Sequence, residues 1–344
     1  MKQEFFYPEY KDTFGRLLKS LEGKRVAVVG HARPDGDCIG AQVGLARVLR
    51  ATGIQVTCVN ADPVPRRLQF LTKEERFLNA EDVLNRPVPW SVIFVDCADQ
   101  ARVGDRLKAR FSVAEGCIDH HMSNNGYASV NIVDTQSAAT CEILAGLFFD
   151  LGLEVDAIAA QALFTGILTD TGQFRFNSTT RRCFVLAGEL VARGASPVQA
   201  GYELFARESL GKMNLLKRYL NSLQMHCSGR VCVGVLAEGI FEETGTSAED
   251  TEGLVDYARC IEGVEVGVLV EERPGGGKKA SLRSNDPIYR LDLVAAQFNG
   301  GGHACAAGLN LPPQYAERFI ERLVDALSQR IAEVDKAKKV TSNV

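Results

Sequence analysis

Short apolar runs that end in acids and imidazoles set the strongest limit on how this chain can fold. "RVAVVGHARPDGD" (25–37) carries an apolar run into His31, Asp35 and Asp37; "SVIFVD" (91–96) ends in Asp96, and "GCIDHH" (116–121) in Asp119, His120 and His121. Carboxylates this close repel one another and lose hydration when buried, so the arrangement needs a use. Between the runs the pattern turns helical. After the first, Ile39, Val43, Ala46 and Leu49 recur on one helical face, with Gly53 as a C-terminal stop. Helices also fit 137–150 and 156–168. Strands at 25–30, 54–60, 91–96 and 116–119 alternating with helices predict an α/β fold, with a mainly parallel sheet covered on both faces. In such sheets ligands collect outside the carboxyl ends of the strands. His31, Asp35, Asp37, Asp96 and His120 are therefore expected to face one crevice. "FTGILTDTGQFRF" adds Asp170 after a further apolar segment.

At 344 residues the chain exceeds what one core usually serves, and two domains are expected. The expected boundaries are 1–193, a helical linker over 194–226, and a smaller α/β domain over 227–334. One helix is read across 196–224, with Pro197 in its first turn. Strands follow at 230–239, 264–273 and 278–284, the last two joined by a "PGGG" turn. An amphipathic helix bearing Phe319, Ile320, Leu323, Leu327 and Ile331 closes the domain, and the lysine-rich tail after Val334 is expected to fray.

Crowded acids and imidazoles call for positive charge, and no lysine-rich segment supplies it. Divalent cations would: carboxylate oxygens with some imidazole suit manganese, or magnesium, better than thiophilic metals. More than four ligand candidates suggest two ions, which recur about 3.5–4 Å apart in phosphoester hydrolases. The ten cysteines are scattered without a C-x-x-C pair, so they read as reduced thiols. Cys38, Cys97 and Cys305 adjoin site residues but read as small packing side chains rather than catalytic thiols. His226 reads as a surface or linker residue. With a net charge of −4 there is no footprint for long duplex nucleic acid or a membrane surface. The opening residues lack a signal-peptide core, so a cytoplasmic location is expected.

"HARPDGDCIG", "VDCAD", "DHH" and "GILTDTGQFRF", in that order, resemble the four motifs of the DHH phosphoesterase superfamily. "SLRS" and "GGGHACAAG" resemble its accessory DHHA1 domain. Ala41, where a serine is common, and Gln173, where a small residue is usual, are mild departures. The resemblance implies one cation held by His31, Asp35 and Asp96, and a second by Asp37, Asp96, His120 and Asp170, with Asp96 bridging. It places His121 beside the scissile phosphate as donor or acid, with Asp119 orienting the histidine pair. From the accessory domain, Arg283, Ser284, His303 and the backbone of Gly300, Gly301 and Gly302 would hold the substrate's other phosphate or sugar. Arg102 reads equally as a phosphate contact or a helix-surface cation.

Within the superfamily the chain most resembles nucleases of short oligoribonucleotides that also dephosphorylate 3′-phosphoadenosine 5′-phosphate (pAp). Short RNA and nucleotides are the implied partners, and a homodimer is left open. Phosphodiesterase activity on linear or cyclic di-adenylate is the enzymatic alternative, and a nucleotide-binding regulator the non-enzymatic one. A pyrophosphatase would want a denser basic pocket, and a processive exonuclease a long basic groove with stacking aromatics.

Overall fold

Val26, Ala27, Val28 and Val29 are all buried, which a strand achieves only when both faces of its sheet are covered. They form β1 (Arg25–Val29) in a computed structural model that describes residues 5–85 and 90–341. The chain divides into two units between Arg207 and Glu208.

The first unit runs α1 (Pro8–Ser20), β1, α2 (Gly36–Ala51), β2 (Gln55–Val59), β3 (Phe77–Leu78), α3 (Ala80–Leu84), β4 (Ser91–Val95) and α4 (Asp105–Arg110). It continues through β5 (Gly116–Asp119), β6 (Val130–Val133), α5 (Thr140–Asp150), α6 (Ala157–Asp170), α7 (Arg181–Ala192) and α8 (Pro197–Gly201). The six strands pair in the order β3-β2-β1-β4-β5-β6, every neighbouring pair parallel. β1 has β2 on one side and β4 on the other, so strand order reverses there. That reversal opens the crevice in which such sheets bind ligands. α1, β3 and β6 lie outside the sequence expectation: β3 has only two residues, and α1 opens on Pro8 with only Phe14 and Leu17 buried.

α2 differs from the one-faced helix its apolar period predicts: it is buried on nearly every side, Gly36 to Ala46 without interruption. α6 lies against it, and glycines set the approach. A Cβ on Gly40 would stand 2.5 Å from the Ala162 carbonyl oxygen. This contact carries the start of α2 and the end of α6 to the same place.

The second unit contains α9 (Leu210–Asn221), β7 (Gln224–His226), β8 (Val231–Leu236), α10 (Ile240–Thr244), α11 (Leu254–Arg259), β9 (Val266–Glu272) and β10 (Lys278–Ser284). α12 (Leu291–Ala296), β11 (Gly301–His303), β12 (Ala306–Leu311) and α13 (Phe319–Thr341) complete it. Its strand order is β11-β12-β10-β9-β8-β7, with only β8–β9 parallel.

Three expectations need correction. Residues 196–224 are not one helix: α8 passes into a single π turn, Tyr202–Ala206, and stops at Arg207. α9 then starts afresh, its N-cap Ser209 accepting from the Lys212 amide at 3.1 Å. His226 is no linker residue; it lies on β7, opposite Val231. The tail does not fray at Val334. Asp335 accepts two hydrogen bonds from Arg230 (2.6 and 2.8 Å), and Arg230 also grips Glu265 (2.7 and 2.9 Å), so α13 runs on. Among the described residues no helix is long and apolar enough to cross a membrane.

Packing at Gly40 yields a test with a built-in contrast. Gly40→Val should lower stability by about 1–3 kcal/mol through overpacking against Ala162. Gly188→Ala, on an open face of α7 with nothing within 4 Å of the new Cβ, should stabilise by about 0.5–1 kcal/mol. Urea denaturation midpoints of the two variants should move in opposite directions.

Candidate metal centre

Four segments converge on the one that carries Asp96. His31 follows β1, Asp35 and Asp37 open α2, Asp96 follows β4, Asp119 ends β5 with His120 and His121 beyond it, and Asp170 closes α6. Asp96 faces two ways. Its Oδ2 is 3.2 Å from His31 Nε2, while its Oδ1 lies 3.5 Å from His120 Nε2 and 3.5 Å from His121 Nδ1. On the His31 side, Asp35 Oδ2 is 3.7 Å from Nε2. On the other, His120 Nε2 is 3.5 Å from Asp170 Oδ2 and 3.9 Å from Asp37 Oδ2.

Local structure aims each group. Asp35 is the N-cap of α2, its Oδ1 accepting from the Cys38 amide at 3.0 Å, which leaves Oδ2 for His31. Asp37, fully buried, accepts from the Thr140 and Cys141 amides at 2.6 and 2.8 Å. These amides open α5, so the positive end of that helix faces the carboxylate. Asp96 sits in left-handed backbone (φ +56), a conformation that costs roughly 1–2 kcal/mol for an L residue and is least foreign to aspartate, asparagine and glycine. Its amide donates to the Ile118 carbonyl (3.0 Å), and Thr140 Oγ1 donates to its Oδ1 (3.3 Å). Asp170 is the last residue of α6, at the negative end of that helix dipole, where a cation belongs.

A second chain of contacts runs outward. Asp119 accepts from His121 Nδ1 (2.7 Å) through one oxygen and from Asn124 Nδ2 (2.7 Å) through the other. Arg102 Nη1 donates to His121 Nε2 at 2.9 Å. Arg102 is therefore not a bare surface cation: its guanidinium reaches the cluster.

The crowding of acids and imidazoles makes this site hold protons. Burial, followed by repulsion from Asp96, pushes Asp37 up to about 7. Burial and then the Asp37 charge raise Asp170 well above the carboxylate range. Burial would raise Asp96 too, but the imidazoles of His120 and His31 on either side of it hold it below its ordinary value. Burial opposes charge on His120, yet Asp96 and Asp37 carry it to about 9. His31 is raised in the same way by Asp35 and Asp96. Its Nδ1 donates to the Ala32 carbonyl (2.9 Å), while Nε2, in a side chain sealed from solvent, has no hydrogen-bond partner. A cation satisfies what a proton there now satisfies, and the oxygen-rich donor set with imidazoles fits a hard divalent ion. Three groups each bring one ligand atom per residue to within 4.8 Å of one another: Asp37 with His120 and Asp170, Asp96 with His120 and His121, and His31 with Asp96 and Cys38.

Sequence reasoning missed Thr140 and Asn124. The small-residue run "SAAT" at the start of the helix expected over 137–150 marks Thr140 as a residue of an anion-accepting helix start. Nothing comparable marks Asn124, which is recognisable only once Asp119 is seen to need a second donor.

In the second unit, register does the assembling. Arg283 on β10 pairs with Ala306 on β12, which pairs with His303 on β11. Residues directly opposite share a face, so Arg283 and His303 flank the short Ala306 methyl. Ser284 is not brought to them. Its side chain points to the other face, buried, and its hydroxyl is bound into a turn with Asp286 (3.2 Å). Gly301 and Gly302 are exposed, and a Cβ on Gly300 would lie 2.5 Å from the Gly308 carbonyl oxygen.

Comparison with known proteins gives a consistent picture. Residues 25–167 match the N-terminal domain of the DHH family, and residues 228–333 match the DHHA1 domain. The bifunctional oligoribonuclease and PAP phosphatase NrnA of Thermus thermophilus is 33% identical over 325 residues, 94% of this chain and 95% of that protein. The protein of the same description from Bacillus subtilis is 28% identical, over 82% of this chain and 87% of its own. The crystal structure of an exopolyphosphatase-related protein from Bacteroides fragilis shares the fold, with a TM-score of 0.82 at 21% identity, covering 93% of this chain and 96% of that one.

The protons on His31, His120 and Asp37 must leave before a cation can bind, which fixes a sign. Affinity for manganese should keep rising as pH is raised past 6.5 towards about 9, where His120 gives up its proton. Calorimetric titration in buffers of different ionisation enthalpy should also show proton release on binding. Affinity that levels off at the ordinary histidine value would contradict the electrostatics described above.

Proposed function

Because this chain belongs to the DHH family, we propose that it is a two-cation phosphoesterase that hydrolyses very short oligoribonucleotides to mononucleotides and removes phosphate from pAp. The observation that carries the reading is Asp96, whose two oxygens face imidazoles on opposite sides, as a carboxylate shared by two ions would. The relatives described as bifunctional oligoribonuclease and PAP phosphatase, similar along almost their whole length, support the substrate class. Nothing in those descriptions favours a di-adenylate substrate, and a pure nucleotide binder has no need of a filled set of ligand positions.

In this reading His31, Asp35 and Asp96 hold one ion, and Asp37, Asp96, His120 and Asp170 the other, with manganese preferred. Bound cations of this kind polarise phosphoryl oxygens and offset the charge that builds on phosphorus. The remaining work falls to side chains. Asp119 keeps the Nδ1 proton of His121 in place and so fixes the ring. Arg102 occupies Nε2 of that ring when no phosphate is present. An arriving phosphate takes the guanidinium instead, because an arginine–phosphate contact can be bidentate. Nε2 of His121 is then free to hold a proton beside the leaving oxygen. In the second unit, Arg283, His303 and the backbone of Gly300, Gly301 and Gly302 bind the substrate's other phosphate or sugar. With a net charge of −4 the protein offers long RNA little attraction, so each added phosphate contributes little counterion release. We place the protein in the cytoplasm.

The test is a substrate series with manganese. Mononucleotide release should be most efficient for about two to five nucleotides, where binding contacts are realised together at the reacting geometry. Equal kcat/KM on a dinucleotide and a long single strand would overturn the reading. Asp96→Asn, which tolerates left-handed backbone, should abolish hydrolysis of both dinucleotide and pAp while leaving the circular dichroism spectrum intact. Arg283→Ala should raise KM by about tenfold or more through loss of a charged phosphate contact, with manganese stoichiometry unchanged.

A further inference from the structure

Cys38 stands nearer the His31–Asp96 pair than a packing residue needs to. It is the third residue of α2, fully buried, and one ligand atom from each of His31, Cys38 and Asp96 lies within 4.8 Å of the others. Its Sγ is held from behind: a Cβ on Gly30 would fall 2.3 Å from it. Its hydrogen bonding is slight, a 3.9 Å contact to Gln42 Oε1. Into the same space points His31 Nε2, on a ring only 3% exposed and without a hydrogen-bond partner.

We propose that His31, Cys38 and Asp96 form a capture site for thiophilic divalent cations of the zinc and cadmium class, and that an ion held there keeps the enzyme inactive. The inference rests on the preceding reading that a cation lies between His31 and Asp96. Two carboxylates flank His31, and they differ in how firmly they are held. Asp96 is buried, whereas the Asp35 side chain is 58% exposed. Manganese and magnesium prefer oxygen, so they take Asp35 and leave the thiol protonated. Zinc or cadmium displaces the thiol proton, which passes to buffer, and forms one bond each to sulfur, imidazole nitrogen and carboxylate oxygen. Such a donor set binds zinc more tightly than it binds manganese. Asp35 then loses its ion, and the pair of cations needed for phosphoryl transfer is no longer matched.

The full-length protein, stripped of metal, is titrated with cadmium and followed by the ultraviolet thiolate–cadmium band and by competition with manganese. Wild type should show a saturable band that Cys38→Ala lacks, and cadmium affinity should fall by about tenfold or more in that variant, the scale on which even outer partners of a metal site act. Cys141→Ala, beside Asp37, should retain the band. The same band and affinity in Cys38→Ala would overturn the proposal. Should Cys38→Ala misfold, cadmium NMR of the wild type decides: one ion coupled to both a cysteine and a histidine supports the site, and a histidine-coupled ion without cysteine refutes it. Manganese-dependent pAp hydrolysis, measured in parallel, separates the two claims. Hydrolysis without a cysteine-coupled ion overturns only the capture site, and a cysteine-coupled ion without hydrolysis overturns only the phosphoesterase reading.

Discussion

A buried carboxylate is tolerable only when each of its oxygens has somewhere to put its charge, and this centre sets that requirement several times within a few ångströms. Asp37 meets it with the opening amides of α5, Asp119 with His121 and Asn124, and Asp96 with imidazoles on both sides. The rest of the first unit can be read as the means of satisfying these demands together. The parallel sheet brings β1, β4 and β5 to end side by side, and the glycine-lined contact of α2 with α6 delivers Asp37 and Asp170 to the same point. The left-handed backbone of Asp96 turns its side chain into the middle at a cost that the surrounding bonds must offset.

Such an arrangement is poised rather than stable on its own terms. Protons on His31, His120 and Asp37 balance the carboxylates crowded around them. Positive charge is needed here whichever species supplies it, which ties the electrostatics of the fold to the chemistry proposed for it.

Much of this was legible in the sequence because the acids stand at the ends of apolar runs, and period and punctuation together reveal strand ends. His31, Asp35, Asp37, Asp96, His120 and Asp170 do come together as expected. What stayed hidden depends on tertiary contacts. The apolar period of α2 suggested one buried face, but the helix is covered on nearly all sides because small residues let α6 close over it. The break near Arg207 could not be read from periodicity, since apolar residues stand on both sides of it, Leu204 before and Leu215 and Tyr219 after. Ser284 was grouped with Arg283 as a neighbour in sequence, whereas on a strand successive side chains face opposite ways, and the useful neighbour of Arg283 is His303, two strands across.

The strand that carries His303 has a further consequence. β11 is an outer strand of its sheet, three residues long, and two of the three are glycine. An outer strand offers unpaired amides and carbonyls to any passing chain, and long apolar ones recruit copies of themselves into aggregates. Here the rim is too short and too poor in side chains to serve as a template, and β7 at the opposite rim is equally brief. The glycines of this rim thus deprive it of the side chains a stacking copy would need.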